Sequence, residues 1–149
     1  MSKIFYDLYD KICSPINLWW AYKDAARGTD GRTYPWGNNA PSTTLLNYNQ
    51  NVGDTTEVGK YPNGASPYGA LDMAGNVWQW VADWYQSGYY ATLGNNASNP
   101  QGPASGDGRV LRGGSWDGNL DDVRSAYRNW SDPTITFDSI GFRCSRSLP

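Results

Sequence analysis

The stretch GALDMAGNVWQWV, residues 69–81, joins a glycine-containing turn to an apolar run. From Val77 to Val81 the side chains alternate so that Trp78 and Trp80 share one face, which is typical of a strand with a packed side. Gly75 frees the backbone just before this run. We therefore predict a strand over residues 76–82, with further strands over 109–112 and 140–145.

Helical signals lie ahead of this stretch. Apolar residues recur at helical spacing over residues 4–12, and Ser14-Pro15 and Gly28 supply the start and stop signals of a second helix. We predict helices over residues 4–12 and 15–27. The buried stripe of the second helix is expected to hold core residues rather than a ligand site, namely Leu18, Trp19, Tyr22 and Ala26.

From Thr29 onward, glycine, proline, asparagine, aspartate and serine interrupt the chain too often for further helices. The segments 86–108 and 117–139 are longer than loops that merely close a domain, and their aromatic residues argue against disorder. The pattern predicts an α+β fold in a single domain over residues 1–149. Within it, residues 1–28 are a helical opening and residues 29–149 a loop-rich β portion.

Composition excludes several classes of function. The chain contains no histidine, which excludes Ser-His-Asp catalysis and His-ligated zinc within these 149 residues. A net charge of −2 without a basic cluster predicts no nucleic-acid partner. Because Asp7 and Asp10 interrupt the first apolar stretch and no later run is long enough, we expect no signal peptide and no transmembrane segment. The protein is then expected to be cytoplasmic as synthesised.

The two cysteines, Cys13 and Cys144, lie near opposite ends of the sequence. Two free thiols are the favoured interpretation, and a disulfide that ties the termini together is the alternative. A single pair assigns no redox compartment.

Five segments, taken in order, resemble one protein family. They are AARGTDGRTYPWG (25–37), NYN (47–49), YGALDMAGNVWQW (68–80), RVLRGGSW (109–116) and GFRC (141–144). Together they are similar to the formylglycine-generating enzyme, or sulfatase-modifying factor, family over roughly residues 22–146. The resemblance implies a C-type-lectin-like fold of the formylglycine-generating enzyme type, with two helices, small twisted antiparallel sheets and much irregular loop.

The resemblance also implies a loss. Catalytic members carry two cysteines after the Gly-Gly-Ser motif, which bind copper and oxidise a thiol, whereas residues 116–131 contain none. We therefore expect the chain not to be an enzyme. The alternatives are a residual oxidase of the sulfatase-modifying type, which would need Cys13 or Cys144, and a structural subunit of an oligomer or larger assembly.

Family calcium sites imply two sets of oxygen ligands in this chain, since hard oxygen donors suit Ca²⁺. The first set is Asn47, the carbonyl of Tyr48, Asp54 and the carbonyl of Thr56. The second set is Asp72, the carbonyls of Gly75 and Val77, and Gln79, which stands where family members commonly have Glu. The alternative is that Asn47, Asp54 and Asp72 cap turns through Asx hydrogen bonds. No other cofactor is expected.

Several arginines are expected to serve structure rather than chemistry. Planar guanidinium groups among aromatic and amide side chains can brace loops by hydrogen bonding and stacking. The arginines assigned this role are Arg27, Arg112, Arg124, Arg128 and Arg143.

The segment from Trp116 to Ser139 mixes rigid aromatic residues with small polar ones, the composition that binding surfaces use. Its position also resembles the variable region of diversity-generating retroelement proteins, which ends just before a Gly-Phe-Arg motif. We expect Tyr127, Trp130 and Phe137 to anchor a ligand. The predicted ligand-binding residues are Trp116, Asp117, Asn119, Asp121, Asp122, Tyr127, Asn129, Trp130, Ser131, Asp132, Thr134, Thr136, Phe137, Asp138 and Ser139.

The sequence thus favours a non-catalytic ligand-binding protein whose partner is a protein or another cell-surface ligand. Display on a phage virion or on a cell surface would fit this role as an alternative to a purely cytoplasmic location. The identity of the ligand is left open by the residues.

Overall fold

The computed structural model describes residues 18–94, 97 and 100–144. Helix α1 spans Leu18–Arg27, a 3₁₀ helix spans Pro62–Gly64 and the short helix α2 spans Tyr89–Thr92. The strands are β1 (Trp78–Trp84), β2 (Arg109–Arg112), β3 (Asn129–Ser131) and β4 (Ile140–Gly141). The helix predicted over residues 4–12 lies outside the described residues, as do residues 15–17 of the second predicted helix.

The four strands form one sheet in the order β3-β2-β1-β4. The pairs β3-β2 and β2-β1 are antiparallel, with Val110 opposite Trp130 and Leu111 opposite Trp80. Strand β4 runs parallel to β1, with Trp78 opposite Ile140. The predicted α+β class with small twisted sheets is confirmed, and the parallel strand makes the sheet mixed rather than purely antiparallel.

The strand boundaries differ from the sequence prediction in informative ways. The strand over 109–112 is confirmed at both ends, while the strand predicted over 76–82 begins and ends two residues later. Of the strand predicted over 140–145, Ile140–Gly141 is a strand, residues 142–144 are not, and residue 145 lies outside the described residues. Strand β3 was not predicted at all. Strands of two or three residues carry too little alternation to predict, and they form here because β1 and β2 offer their edges as partners.

The packed side of β1 is not the expected tryptophan side. Trp78 is buried, but Trp80 and Trp84 are half-buried, whereas Gln79, Val81 and Asp83 are buried along the strand. Helix α1 covers this side, and Tyr22 and Ala26 pack in one core cluster with Met73, Val81 and Val110. The helix, rather than the alternation alone, therefore decides which face of the strand is packed.

A second core cluster lies under the loops. It consists of Leu46, Ala74 and Val123, with Tyr34 and Trp36 packed against it. Val123 belongs to the segment that follows β2, and its side chain is fully buried. Part of the predicted ligand-binding segment is thus built into the core.

Cys144 is part of a disulfide, so the favoured interpretation of two free thiols is wrong. The chain's other cysteine, Cys13, lies outside the described residues. Cysteine pairing depends on which backbone segments approach one another, which the spacing in the sequence does not reveal. Across the described part of the chain, no helix has the length and apolar character needed to cross a bilayer.

Candidate ligand-binding surface and metal sites

Two glycines turn the chain out of β2. Gly113 and Gly114 have φ values of 93° and 75°, a region that favours glycine. A Cβ atom on Gly113 would lie 2.5 Å from the hydroxyl oxygen of Tyr22, and one on Gly114 would lie 2.9 Å from Cγ1 of Val123. This turn can pass between the two core clusters only because both residues lack a side chain.

Arg112, at the end of β2, holds the following segment from beneath. Its guanidinium group donates to the carbonyl oxygens of Ser125 (2.8 Å), Ala126 (3.1 Å) and Tyr127. The side chain is almost completely buried, and its charged end lies 5.8 Å from the centre of the Tyr22 ring. Burial lowers the pKa of Arg112 from its ordinary value. A buried cation thus fixes the backbone of the segment at residues 125–127.

The start of the segment is docked on the loop that precedes the 3₁₀ helix. The Asn49 N–H donates to the Gly118 carbonyl (2.9 Å) and the Gln50 N–H donates to the Trp116 carbonyl (2.7 Å). The Trp116 N–H donates in turn to the Asn76 carbonyl (2.8 Å). These main-chain bonds place Trp116 and Gly118 against the loop that carries the first predicted calcium set.

Three predicted ligand-binding residues also shape this turn. Asp122 accepts a hydrogen bond from the Asn119 N–H at 2.9 Å, and Asn119 accepts one from the Asp121 N–H at 2.8 Å. Asp117 and the Ser115 hydroxyl lie 2.5 Å apart. Asp117, Asn119 and Asp122 therefore have structural contacts of their own, whatever they bind.

All of the predicted ligand-binding residues lie at the surface. The exposed ones are Asp117, Asn119, Asp121, Tyr127, Trp130, Asp132, Thr134, Thr136, Phe137 and Asp138. The half-buried ones are Trp116, Asp122, Asn129, Ser131 and Ser139. Trp130 is 46% exposed and Phe137 is 53% exposed.

Trp130 projects from β3 onto a set of aromatic side chains that the sequence analysis did not single out. Its ring stacks on Tyr85 at 5.7 Å between centroids. Arg128 lies 4.7 Å from the Tyr85 ring and 4.2 Å from the Tyr90 ring, and it donates to the Gln86 carbonyl at 2.8 Å. We call Trp130, Tyr85, Arg128 and Tyr90 the aromatic stack. The aromatic content of the loop over 86–108 was the available signal for Tyr90, whereas Tyr85 lies just before that loop.

Tyr127 forms a second exposed aromatic position. Its ring is 37% exposed and lies 6.1 Å from that of Trp78. Partial burial, together with the nearby carboxylate of Asp122, raises the pKa of Tyr127 above its ordinary value. The side chain therefore stays a neutral phenol at physiological pH and offers an aromatic face beside an acidic group.

The first predicted calcium set contains a buried oxygen atom that accepts no hydrogen bond, Asn47 Oδ1. Asn47 is 1% exposed, its Nδ2 donates to the Asp54 carbonyl at 2.8 Å, and its Oδ1 is buried without a hydrogen-bond partner. Asp54 is exposed at the edge of the same loop, and the hydroxyl of Thr56 is also buried without a partner. Buried oxygen atoms of this kind are normally bonded. The Tyr48 and Thr56 carbonyls each accept one hydrogen bond, from the Asn51 N–H (3.0 Å) and Asn76 Nδ2 (3.1 Å), and each keeps a second lone pair. The first set therefore still has oxygen atoms for a hard cation.

The second predicted set is engaged with an arginine. Arg143 donates from Nε to Oε1 of Gln79 (3.0 Å) and from Nη2 to the carbonyls of Leu71 (2.6 Å) and Asp72 (3.2 Å). The Asp72 carboxylate accepts from the Gly59 N–H at 2.7 Å. The guanidinium thus bonds one oxygen atom that Ca²⁺ would need, Oε1 of Gln79, and the Gly59 N–H bonds a second, Oδ2 of Asp72, so this set does not fit the ion.

The carboxylates are also spread too widely for a site built from acidic side chains alone. Within residues 18–94, 97 and 100–144, no group of three or more Cys, Asp or Glu side chains is arranged to hold a metal. Any cation at the first set would depend on carbonyl and amide oxygens. Calcium binding stays a prediction for both sets.

The chain matches a known family along most of its length. The sequence profile of the sulfatase-modifying factor enzyme 1-like domain matches residues 15–148. The chain belongs to this family. The resemblance drawn from the five sequence segments is thereby confirmed.

Two enzymes are similar to this chain. The formylglycine-generating enzyme of Streptomyces coelicolor is 35% identical over 149 residues, which cover 88% of this chain and 45% of that protein. The hercynine oxygenase of Mycolicibacterium thermoresistibile is 42% identical over 106 residues, which cover 68% of this chain and 24% of that protein. The chain therefore spans less than half the length of these curated relatives.

A solved structure of the same fold is Treponema denticola variable protein 1. It superposes with a TM-score of 0.64 at 33% identity, covering 83% of this chain and 42% of that one. This similarity supports the C-type-lectin-like fold predicted from the sequence.

The expectation that the chain is not an enzyme is contradicted by its relatives. That expectation depended on one missing cysteine pair, yet relatives in this family are named for two different activities. A family that carries more than one activity on its fold does not tie catalysis to one pair of side chains. The missing pair therefore does not by itself exclude enzyme activity.

Proposed function

We propose that residues 116–139 form the ligand-binding surface of this sulfatase-modifying factor-type domain. The observation that carries the proposal is the exposure of Tyr127, Trp130 and Phe137 on a segment that the core holds from beneath. Large exposed aromatic side chains supply much contact area for little loss of conformational freedom. A rigid backbone adds to this, because less ordering is needed when a partner binds.

The polar residues around these anchors would set specificity. Asp121, Asp132 and Asp138 are exposed and project from the same segment. Changing them would alter which groups a ligand can present, and no core contact among the described residues depends on them. This division suits a surface that changes between related proteins, as in the variable region that the segment resembles. We therefore propose that residues 116–139 are diversified.

The binding proposal is tested by peptide selection on the whole chain. A random dodecapeptide library displayed on phage is selected against the purified protein, and the affinities of the enriched peptides are measured by calorimetry. The Trp130→Ala and Tyr127→Ala variants are expected to bind at least about tenfold more weakly. Tyr68→Ala is the matched control, since Tyr68 is 67% exposed and lies near Gly28, outside the segment. Equal affinities in all four proteins would contradict the proposal.

Diversification is tested on DNA rather than on protein. We expect a near-identical copy of the coding stretch for residues 115–143 close to the gene, with mismatches confined to adenines of the copy and a reverse transcriptase gene beside it. A neighbourhood without such a copy would leave a binding surface of fixed sequence.

We further propose that the first set binds Ca²⁺, held by Asn47 Oδ1, the Tyr48 carbonyl, Asp54 and the Thr56 carbonyl. The ion would supply only charge and coordination, and it would tie the Asn47 loop to Trp116 and Gly118. Calorimetric titration of the chelator-treated protein with CaCl₂ is expected to show one site, which Asp54→Asn weakens and Asp24→Asn does not. A titration of the folded protein that shows no heat of binding would contradict a Ca²⁺ site at the first set.

A second candidate function is catalysis, and the names of the two related enzymes favour it. An oxidase of the formylglycine-generating type would convert a cysteine in a sulfatase-derived peptide, which mass spectrometry detects. Because residues 116–131 contain no cysteine, this activity would depend on Cys13 or Cys144, and it should be lost in the Cys144→Ser variant. A role as a subunit of a larger assembly would appear instead as a stable oligomer in light scattering.

A further inference from the structure

The aromatic stack extends the proposed ligand-binding surface beyond residues 116–139. Trp130 on β3 is 46% exposed and Tyr90 on α2 is 42% exposed, and the two are linked through Tyr85 and Arg128. The extended surface is therefore formed by two separate parts of the chain, strand β3 and the short helix α2. Any partner large enough to cover Trp130 would meet Tyr90 as well.

The positive charge inside this stack, the Arg128 guanidinium, is engaged in contacts within the protein. The Arg128 guanidinium lies over the rings of Tyr85 and Tyr90 and donates to the carbonyls of Gln86 (2.8 Å) and Ser87 (3.3 Å). Its contacts hold the two parts of the surface together. Arg128 is thus a positioning residue and not a cation presented to a partner.

The remaining charge of the segment is negative. Residues 116–139 contain five aspartates and two arginines, while the whole chain has a net charge of only −2. Arg124, the other arginine, lies 3.7 Å from Asp121, and Arg128 is held as described. Asp132 and Asp138 have no basic side chain of the segment close enough for an ion pair among the described residues. The segment therefore carries the excess negative charge of the protein on its exposed side.

Aromatic faces beside carboxylates favour one kind of side chain. Partial burial and the nearby Asp122 carboxylate both raise the pKa of Tyr127, so this ring lies beside an acidic group. Trp130 has one ring face against Tyr85, while 46% of the residue remains accessible. Lysine and arginine side chains are attracted to aromatic rings by cation–π interactions and to carboxylates by charge, so both features select for the same partner.

We propose that this two-part surface, formed by residues 116–139, which include β3, and by helix α2, docks a protein partner through a segment rich in lysine and arginine. The inference rests on the proposed binding function and names the chemistry of the ligand. Charge complementarity across the surface would speed association and make it sensitive to salt.

The peptide selection described above tests this inference when the enriched sequences are read for charge. Peptides whose binding depends on Trp130 are expected to carry a net positive charge. Their affinity should fall about tenfold in Tyr90→Ala, outside the predicted segment, and about threefold in the double variant Asp121→Asn/Asp138→Asn. Tyr68→Ala and the double variant Asp24→Asn/Glu57→Gln are the matched controls, and both should bind as the unchanged protein does.

The outcomes separate this inference from the proposed function. Trp130-dependent peptides that are neutral or acidic would overturn the basic partner and leave the binding surface standing. Basic peptides that tolerate Tyr90→Ala would confine the surface to the segment 116–139 and overturn its two-part form. Peptides that bind equally well to Trp130→Ala and Tyr127→Ala would overturn both proposals together.

Discussion

The two halves of the segment that follows β2 differ in how they relate to the core. Residues 113–126 include five buried positions, among them Val123 and Ser125, whereas residues 127–139 include none. Where the two halves meet, Arg112 donates hydrogen bonds to the carbonyl oxygens of residues 125–127. The comparison teaches that the buried side chains of one half and the pairing of β3 with β2 position the backbone, while the side chains of the other half contribute no buried position to the core.

The largest expected effect is the loss of the buried cation at the border. Arg112→Met removes the donor to three carbonyl oxygens, and we expect it to lower the free energy of unfolding by about 3 kcal/mol. Arg124→Met, at an exposed arginine of the same segment, should change it by less than about 0.5 kcal/mol. Urea denaturation followed by circular dichroism measures both. Similar values for the two variants would show that Arg112 does not hold the segment.

The glycine turn gives the next effect through a matched pair of substitutions. Gly53→Ala places a Cβ in open space at a φ of 82°, and the backbone strain should cost about 1 kcal/mol. Gly114→Ala has a similar φ of 75° and also places its Cβ 2.9 Å from Val123, which should add about 2 kcal/mol. The difference in stability between the two variants, taken from their thermal unfolding curves, measures the crowding of the new Cβ atom against Val123 alone. No difference would mean that the anchored half is loosely packed.

Tyr22 supports the anchored half from helix α1. Its hydroxyl donates to the Met73 carbonyl at 2.9 Å, and Tyr22→Phe should cost about 1 kcal/mol at pH 7 by leaving that acceptor without a partner. Tyr68→Phe, at an exposed tyrosine, is the control and should cost nothing measurable.

The same residue predicts a dependence on pH. Burial raises the pKa of Tyr22 from 10.0 to about 12, so the folded protein favours the neutral phenol. The stability linked to this group is fully present below pH 10 and is lost as the pH rises from 10 to 12. Urea denaturation across this range should show a steeper loss in the unchanged protein than in Tyr22→Phe. Parallel curves would place the titration of Tyr22 at its ordinary pKa.

The smallest effect on stability is expected in the exposed half. Trp130→Ala removes the stack on Tyr85 but leaves no cavity in either core cluster, so we expect a loss of about 1 kcal/mol or less. Its effect on peptide binding should be much larger than its effect on the urea midpoint. A collapse of stability in Trp130→Ala would show that the Trp130 side chain, and not only the backbone of β3, is built into the fold.

Much of the scaffold was predictable because its signals are local. The strand over 109–112 was confirmed at both ends, and of the five arginines expected to brace loops, Arg112, Arg128 and Arg143 do so across 13 or more residues of sequence. Arg27 braces the nearby loop at Gly31 and Arg32, while Arg124 makes only an exposed ion pair with Asp121. Glycines and apolar alternation carry such information within a few residues, whereas the arginines predict that loops are braced but not which loops.

The candidate surface was predicted only in part. The exposed positions of Tyr127, Trp130 and Phe137 agree with their expected role, which no contact in the structure tests. Tyr85 and Tyr90 were missed because they belong to another segment and reach Trp130 and Arg128 only in the folded chain. The sequence also did not show that Arg143 reaches Gln79, a member of the second calcium set, from 64 residues away, and calcium binding there stays a prediction.

The sequence by itself determined the family, the α+β class and the acidic, aromatic character of residues 116–139. It determined them because motif spacing, alternation and composition are properties of neighbouring residues. Only the tertiary structure decided that β3 forms at the edge of the sheet, that Arg112 and Val123 anchor the segment, and that Arg128 joins Trp130 to α2. Each of these depends on two distant stretches of backbone meeting, and no local pattern encodes which stretches meet.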